Sequence, residues 1–153
     1  MAEEKKKKTL SIDEQESIAK ALLLLVVSYE NFPRCITEKK IYLDDLKDTE
    51  CIGIYPAAGA VVLKQYISGS FEAQFPFTLY YKCNPTMNAE TISKREVLDS
   101  LTKWLSTTEY PLLTDGRNIR RIERTTPTIL IGKEDNGYTI FQCGCTLKYF
   151  KKG

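Results

Sequence analysis

The hydrophobic pattern of the chain centres on one long stretch of alternating residues, Ser70–Cys83. Apolar side chains occupy every second position of this stretch, at Phe71, Ala73, Phe75, Phe77, Leu79, Tyr81 and Cys83. The positions between them are mostly polar. A period of two is the repeat of a half-buried β-strand, in which successive side chains point to opposite faces. The stretch therefore predicts the central strand of a sheet.

Two other stretches have the period of an amphipathic helix. The first helix is predicted over Ile12–Tyr29, because Ser11 and Glu14 have the spacing of a capping box before an apolar run. Its buried stripe is predicted to be Ile18, Ala19, Leu22, Leu25, Val26 and Tyr29. The second helix is predicted over Ala89–Ser106, with Asn88 as its N-cap. Its apolar face is predicted to be Lys94, Val97, Leu98, Leu101, Trp104 and Leu105.

The first helix is more apolar than one buried face requires, since Leu23, Leu24 and Val27 widen its stripe. The run is far too short to cross a bilayer, and we expect no membrane contact. We therefore expect the outer side of this helix to pack on a second subunit. Pro76 supports the same expectation, because proline cannot donate to a strand ladder and so predicts an edge or a bulge. An open strand edge can pair with another chain.

Shorter apolar or β-branched runs predict the remaining strands. These runs are Lys39–Asp45, Cys51–Tyr55, Val61–Ile67, Asn118–Thr126, Thr125–Ile131 and Tyr138–Phe150. The Ser68–Ser70 turn predicts a hairpin between Val61–Ile67 and the central strand. Asn136 and Gly137 predict a second hairpin immediately before the last strand. In the last strand the apolar set Thr139, Phe141, Cys143, Cys145, Leu147 and Tyr149 is expected to face the core.

Strands interrupted by two helices are typical of an α+β fold. We predict a mainly antiparallel or mixed β-sheet with two helices packed on one face, forming a single domain over residues 11–153. Residues 1–10 are predicted to be a flexible charged tail, because they are dominated by Glu and Lys.

Composition removes several classes of function. The chain has 153 residues, a formal net charge of +2 and no histidine. Histidine is the commonest general base and metal ligand, and no phosphate-binding loop, nucleophile motif or dinucleotide fingerprint is present either. We expect a protein that is not an enzyme and that binds no metal and no cofactor.

The five cysteines predict free thiols in a reducing compartment, because their number is odd and the segment MAEEKKKKT is not an apolar leader. Cys143 and Cys145 are expected to be small core residues on one strand face, in preference to half of a metal site.

Two charged clusters are candidate sites. Asp44, Asp45, Asp48 and Glu50 lack the spacing of a cation loop and are interleaved with lysines, which favours a solvated loop. Four arginines are predicted to lie on one strand, Arg120 and Arg124 on one face and Arg117 and Arg121 on the other. They could form salt bridges at the surface or between subunits, or they could contact DNA or another acidic partner.

Several segments resemble a known group of proteins. They are YISGSFEAQFPFTLYYK at Tyr66–Lys82, LDSLTKWL at Leu98–Leu105, YPLL at Tyr110–Leu113 and IRRIERTTPT at Ile119–Thr128. On these segments the chain resembles the tail terminator or minor capsid proteins of long-tailed bacteriophages and phage-tail-like bacteriocins. The resemblance covers most of the chain after Leu10 and brings no catalytic signature.

The resemblance implies an α+β subunit of a homohexameric ring in the virion tail, assembled in the bacterial cytoplasm. Such a ring caps the tail tube protein, ends its polymerisation and offers a docking face to the head-tail connector. In a contractile tail it also anchors the last ring of sheath protein, and DNA passes through without specific binding. The residues predicted for subunit contacts are Leu23, Leu24, Val27, Pro76, Asn136 and Gly137. The alternative is another head-tail joining component that contacts DNA through the arginine strand.

Overall fold

The structure is a computed structural model that describes residues 8–30, 41–47, 50–84, 88–113, 115–134 and 137–153, the helical residues 88–93 by their backbone alone. Two helices and seven strands lie in these ranges. In chain order they are α1 (Ile12–Val27), β1 (Ile41–Leu43), β2 (Cys51–Pro56), β3 (Val61–Gln65), β4 (Phe71–Cys83), α2 (Asn88–Thr107), β5 (Arg117–Arg124), β6 (Ile129–Lys133) and β7 (Thr139–Lys151).

All seven strands join in one sheet with β4 and β7 at its centre. These two strands pair antiparallel over their whole length, from Phe71 opposite Lys151 to Cys83 opposite Thr139. β2 and β3 lie one after the other along the outer side of β4, and β5 and β6 do the same along the outer side of β7. β1 adds to β2 as a parallel strand. The predicted α+β class, with a mixed and mainly antiparallel sheet, is confirmed.

Both helices cover the apolar face of the two central strands. Every second residue from Ala73 to Cys83 in β4 and from Thr139 to Tyr149 in β7 is buried. The buried side chains of both helices belong to the same cluster. The opposite face, which we call the open face, carries Glu72, Gln74, Thr78, Tyr80, Gln142, Thr146, Lys148 and Phe150. The stretch of alternating residues is the central strand that its period predicts.

Helix α1 begins where its capping signal predicts. The Ser11 hydroxyl accepts a hydrogen bond from the Glu14 N–H at 3.1 Å, and the whole predicted stripe is buried. The Glu14 carboxylate, however, binds Arg117 and Tyr149 in place of the N-cap amide. A charged guanidinium is a stronger partner for a carboxylate than a backbone N–H is.

The ends of both helices lie close to their predicted positions. Helix α1 ends at Val27, two residues early, and α2 extends one residue beyond the prediction at each end. Trp104 is half-buried against the ring of Tyr29, with the ring centroids 5.0 Å apart. This anchor therefore joins α2 to α1.

Pro76 lies inside the sheet, at a gap between two neighbouring strands. On this side β4 pairs with β2 as far as Phe77 and with β3 from Gln74. The Pro76 carbonyl accepts a hydrogen bond from the Ala57 N–H at 2.9 Å, and the amide nitrogen of the same residue points to the same side of the strand. The position of the missing N–H therefore faces the gap between β2 and β3. The sheet edge predicted from Pro76 is confined to this gap.

A β-bulge in β5 inserts an extra residue into the strand. Its register against β7 shifts between Ile119 and Arg121, so that Arg120 is the additional residue. Ile119 and Ile122 are consequently both buried, although they are three positions apart.

The bulge changes which arginines share a face. Arg117 and Arg124 lie on the helix-covered side, where Arg124 reaches Asp99 of α2 at 2.6 Å. Arg120 and Arg121 lie on the open face. The predicted sharing of faces is wrong, because strict alternation holds only in a strand without an extra residue.

Glycines in the left-handed region close both predicted hairpins. Gly69 has a φ of +90° in the turn between β3 and β4, and Gly137 has the same φ before β7. L-residues with a side chain rarely adopt this conformation. The two hairpins are confirmed by their antiparallel pairing, while Asn136 lies outside the described residues.

The end of the predicted charged tail lies against the sheet. Leu10 is buried and donates its N–H to the Ala60 carbonyl at 3.0 Å, and Thr9 bridges Val61 of β3. Residues 1–7 lie outside the described ranges.

Candidate subunit-interface surfaces

Strand β6 forms an exposed apolar edge of the sheet. Within the described ranges it pairs with β7 alone. Ile129, Leu130 and Ile131 are 43%, 43% and 45% exposed. The edge thus offers backbone hydrogen-bonding groups beside three aliphatic side chains, a combination that monomeric proteins normally avoid because it invites pairing with another chain.

The sequence predicts a strand here but does not mark it as an exposed apolar edge. The signal was present, because consecutive strand residues point to opposite faces and three aliphatic neighbours cannot share one buried face. In the structure Ile129 lies opposite Gln142 and Leu130 lies opposite Phe141, and the register then shifts around Ile131. The apolar residues of β6 are therefore divided between both sides of the sheet.

A second apolar surface is a groove beside the two helices. It has a volume of about 480 Å³ and is lined by Leu24, Leu25, Trp104, Pro111 and Leu113, among others. Leu24 is 71% exposed on the rim. We call this surface the helix groove.

The residues predicted for subunit contacts differ in how exposed they are. Leu24 is exposed, whereas Leu23 and Val27 are partly buried against the core of their own chain. Pro76 is half-buried at the strand gap, and Gly137 is exposed in the hairpin turn. Of the predicted helical contacts, Leu24 is the one that a neighbouring subunit can reach most readily.

Arg117 is bound within its own chain. Its guanidinium donates to both oxygens of the Glu14 carboxylate, at 2.7 and 2.6 Å, and also pairs with the Asp115 carboxylate. The Tyr149 hydroxyl donates to Glu14 at 2.9 Å. Arg117 and Glu14 are only 10% and 13% exposed in their side chains. This arginine joins α1 to β5 and is not presented to an acidic partner.

The pKa values of this network follow from its contacts. Burial raises the pKa of Glu14, but hydrogen bonds from Arg117 and Tyr149 and the Arg117 charge together bring it below the ordinary 4.5. Burial also raises the pKa of Asp115, but hydrogen bonds from Arg117 and the Arg117 charge outweigh burial and bring this pKa below its ordinary value of 3.8. The hydrogen bond to Glu14 raises the pKa of Arg117. All three groups therefore hold their charges at neutral pH.

Two members of the acidic cluster and two of the cysteines are tied into the fold, while Asp48 and Cys35 lie outside the described residues. Glu50 accepts hydrogen bonds from Lys94 and from the Tyr81 hydroxyl, and Asp45 pairs with Lys47. Cys143 and Cys145 are buried, as predicted. In the described part of the chain no group of His, Cys, Asp or Glu side chains could hold a metal ion, and neither helix there has the length and apolar character to span a membrane.

Comparison with known proteins yields a similarity of overall shape. No protein-family model matches the chain, and no curated protein sequence matches it. A solved structure described as the virion of a native gene transfer agent particle contains a similar chain, with a TM-score of 0.47 and 10% sequence identity. The match covers 92% of this chain and 91% of that one.

Proposed function

We propose that the chain is a structural subunit that assembles with copies of itself into a ring, as a tail terminator of a phage-like particle does. The observation that carries the proposal is the exposed apolar edge of β6. Burying three aliphatic side chains and pairing a free strand edge favours association with another chain.

The position of the two apolar surfaces favours a ring over a pair. β6 lies at a sheet edge, whereas the helix groove lies in the helical layer. When two unlike surfaces of identical subunits meet, each subunit keeps one surface free for the next copy. The row of subunits closes into a ring if the rotation between neighbouring subunits is a whole fraction of a full turn. A two-fold pair would instead use the same surface twice.

The role that we propose for the ring comes from the segments that resemble tail terminators. In this role six copies stack on the last ring of the tail tube protein, stop its growth and present their other side to the head-tail connector. In a contractile tail the sheath protein is a further partner. The protein acts by shape and contact, without catalysis, and it works in the virion tail after assembly in the bacterial cytoplasm.

Light scattering after size-exclusion chromatography tests the assembly. We expect the wild-type protein to elute as a single species of several times the 17.5 kDa chain mass. Leu24→Glu places a charge on the exposed rim of the helix groove and is expected to yield folded monomer. Lys20→Glu changes an exposed residue of the same helix outside that groove and serves as the matched control. A wild-type protein that remains monomeric at high concentration would contradict the proposal.

A further inference from the structure

Four cationic side chains gather at one end of the open face. Lys64 lies on β3, Arg120 and Arg121 lie on β5, and Lys148 lies on β7 opposite Arg121. We call these four residues the basic patch. β3 and β5 are separated by β4 and β7, so at about 4.8 Å per strand the patch extends roughly 14 Å across the sheet.

Aromatic rings hold two of these cations in place. The Lys64 Nζ lies 5.0 Å from the centroid of the Tyr66 ring, and the guanidinium carbon of Arg120 lies 5.2 Å from that of the Phe150 ring. The two rings meet edge to face at 6.1 Å. An aromatic ring positions a cation without neutralising it, so the charge remains available to an anion.

Most of the patch has no carboxylate partner. Across the described ranges, Lys64, Arg120 and Lys148 form no ion pair, and Arg121 pairs with Glu123 at 2.6 Å. A hollow of about 280 Å³ opens between Arg120, Arg121 and Lys148, with Glu72 as the one carboxylate in its lining. The patch therefore carries an excess of positive charge on a chain that is close to neutral overall.

We propose that the basic patch binds the phosphate backbone of duplex DNA, without reading its sequence. Separated cations on an open sheet face suit a row of phosphates, and the neighbouring Thr146 is a side-chain type that also bonds phosphate oxygens. Tyr66 and Phe150 already face cations, which leaves little ring surface on which bases of a single strand could stack. The choice of duplex DNA as the ligand rests on the proposed function, since the resemblance to tail terminators implies that DNA passes through the ring.

Fluorescence anisotropy with a labelled duplex of random sequence tests the proposal. We expect the wild-type protein to bind, with an affinity that falls steeply as salt rises from 50 to 200 mM. The double variant Arg120→Ala/Lys148→Ala should lower the slope of log K against log salt by about 0.9 for each lost phosphate contact. The matched control, Lys20→Ala/Lys103→Ala, removes two exposed cations from the helices and should bind like the wild type.

The outcomes separate this proposal from the proposed function. No binding at 50 mM salt, or equal weakening by the control pair, would overturn it. Binding of a polyglutamate peptide without binding of DNA would overturn it too, and would assign the patch to an acidic protein. The mass of each variant is measured in parallel: DNA binding by a protein that stays monomeric refutes the ring alone, whereas a ring that ignores DNA refutes the basic patch alone.

Discussion

The guanidinium of Arg117 lies where α1, β5 and β7 meet, and it donates to two carboxylates at once. The partly buried Glu14 depends on it, because a carboxylate removed from water is stable only with charged or hydrogen-bonding partners. Residues distant in sequence, 14 and 117, are thereby joined. The arginines of β5 thus have separate tasks: Arg117 stabilises the protomer, while Arg120 and Arg121 face outward.

The substitution Arg117→Met is expected to lower the free energy of unfolding by about 3 kcal/mol, because it leaves the Glu14 charge buried without its main partner. Adding Glu14→Gln should recover a large part of this loss, since a neutral amide costs less to bury. Urea unfolding of the wild type and the two variants measures both effects. A double variant that is less stable than Arg117→Met would show that the buried charge is not the cause.

The lowered pKa values of Glu14 and Asp115 predict acid sensitivity. A carboxyl group whose pKa is lower in the folded state contributes stability above its unfolded pKa, and that contribution is lost as the pH falls through the folded value. Stability should therefore decline below about pH 4.5, the ordinary pKa of Glu14. The variant Glu14→Gln should show a shallower decline when unfolding is measured from pH 6 to pH 3 at fixed protein concentration. An unchanged slope would contradict this assignment.

Among the helices and strands, β6 is the least suited to a monomeric protein, because its edge is apolar and exposed. The other edge-forming strand on the same side, β5, carries arginines and buried isoleucines, whereas β6 exposes three aliphatic side chains in succession. Lys133 is the single charged residue of the strand. A strand edge with a single charged residue has little to prevent its pairing with other chains. We therefore expect another chain to cover it in solution.

The substitution Ile129→Lys is expected to prevent assembly and leave the protomer folded. Ile129 is 43% exposed, so its replacement should lower the free energy of unfolding by only about 1 kcal/mol, as an average point mutation does. Ile67→Lys introduces the same charge at an exposed apolar residue in the β3–β4 turn and should assemble normally. Light scattering distinguishes the two variants, and an Ile129→Lys protein that assembles like the wild type would remove β6 from the interface.

Element types were predictable from the sequence because local signals agreed with the tertiary structure. The alternation of β4 and β7, the Ser11 cap and the two glycine turns each depend on neighbouring residues alone. The bulge at Arg120 and the gap beside Pro76 were not predictable in the same way, because each depends on the strand that lies alongside. The pairing of Glu14 with Arg117 was missed for the same reason.

The two unlike apolar surfaces define how copies of the chain can meet. The open face, with its basic patch, lies on the opposite side of the sheet from both helices. In a ring built through β6 and the helix groove, this face remains available to a further partner. The candidate surfaces were only partly predictable, since Leu24 was identified from helical periodicity, whereas β6 and the aromatic supports of the patch emerge from the folded sheet.

Electron microscopy of the purified wild-type protein shows whether the copies form a ring. We predict closed rings with a central opening, made of six copies and therefore six times the 17.5 kDa chain mass. Isolated particles of the size of one protomer, or two-fold pairs without an opening, would contradict the claim that unlike surfaces of identical chains join end to end.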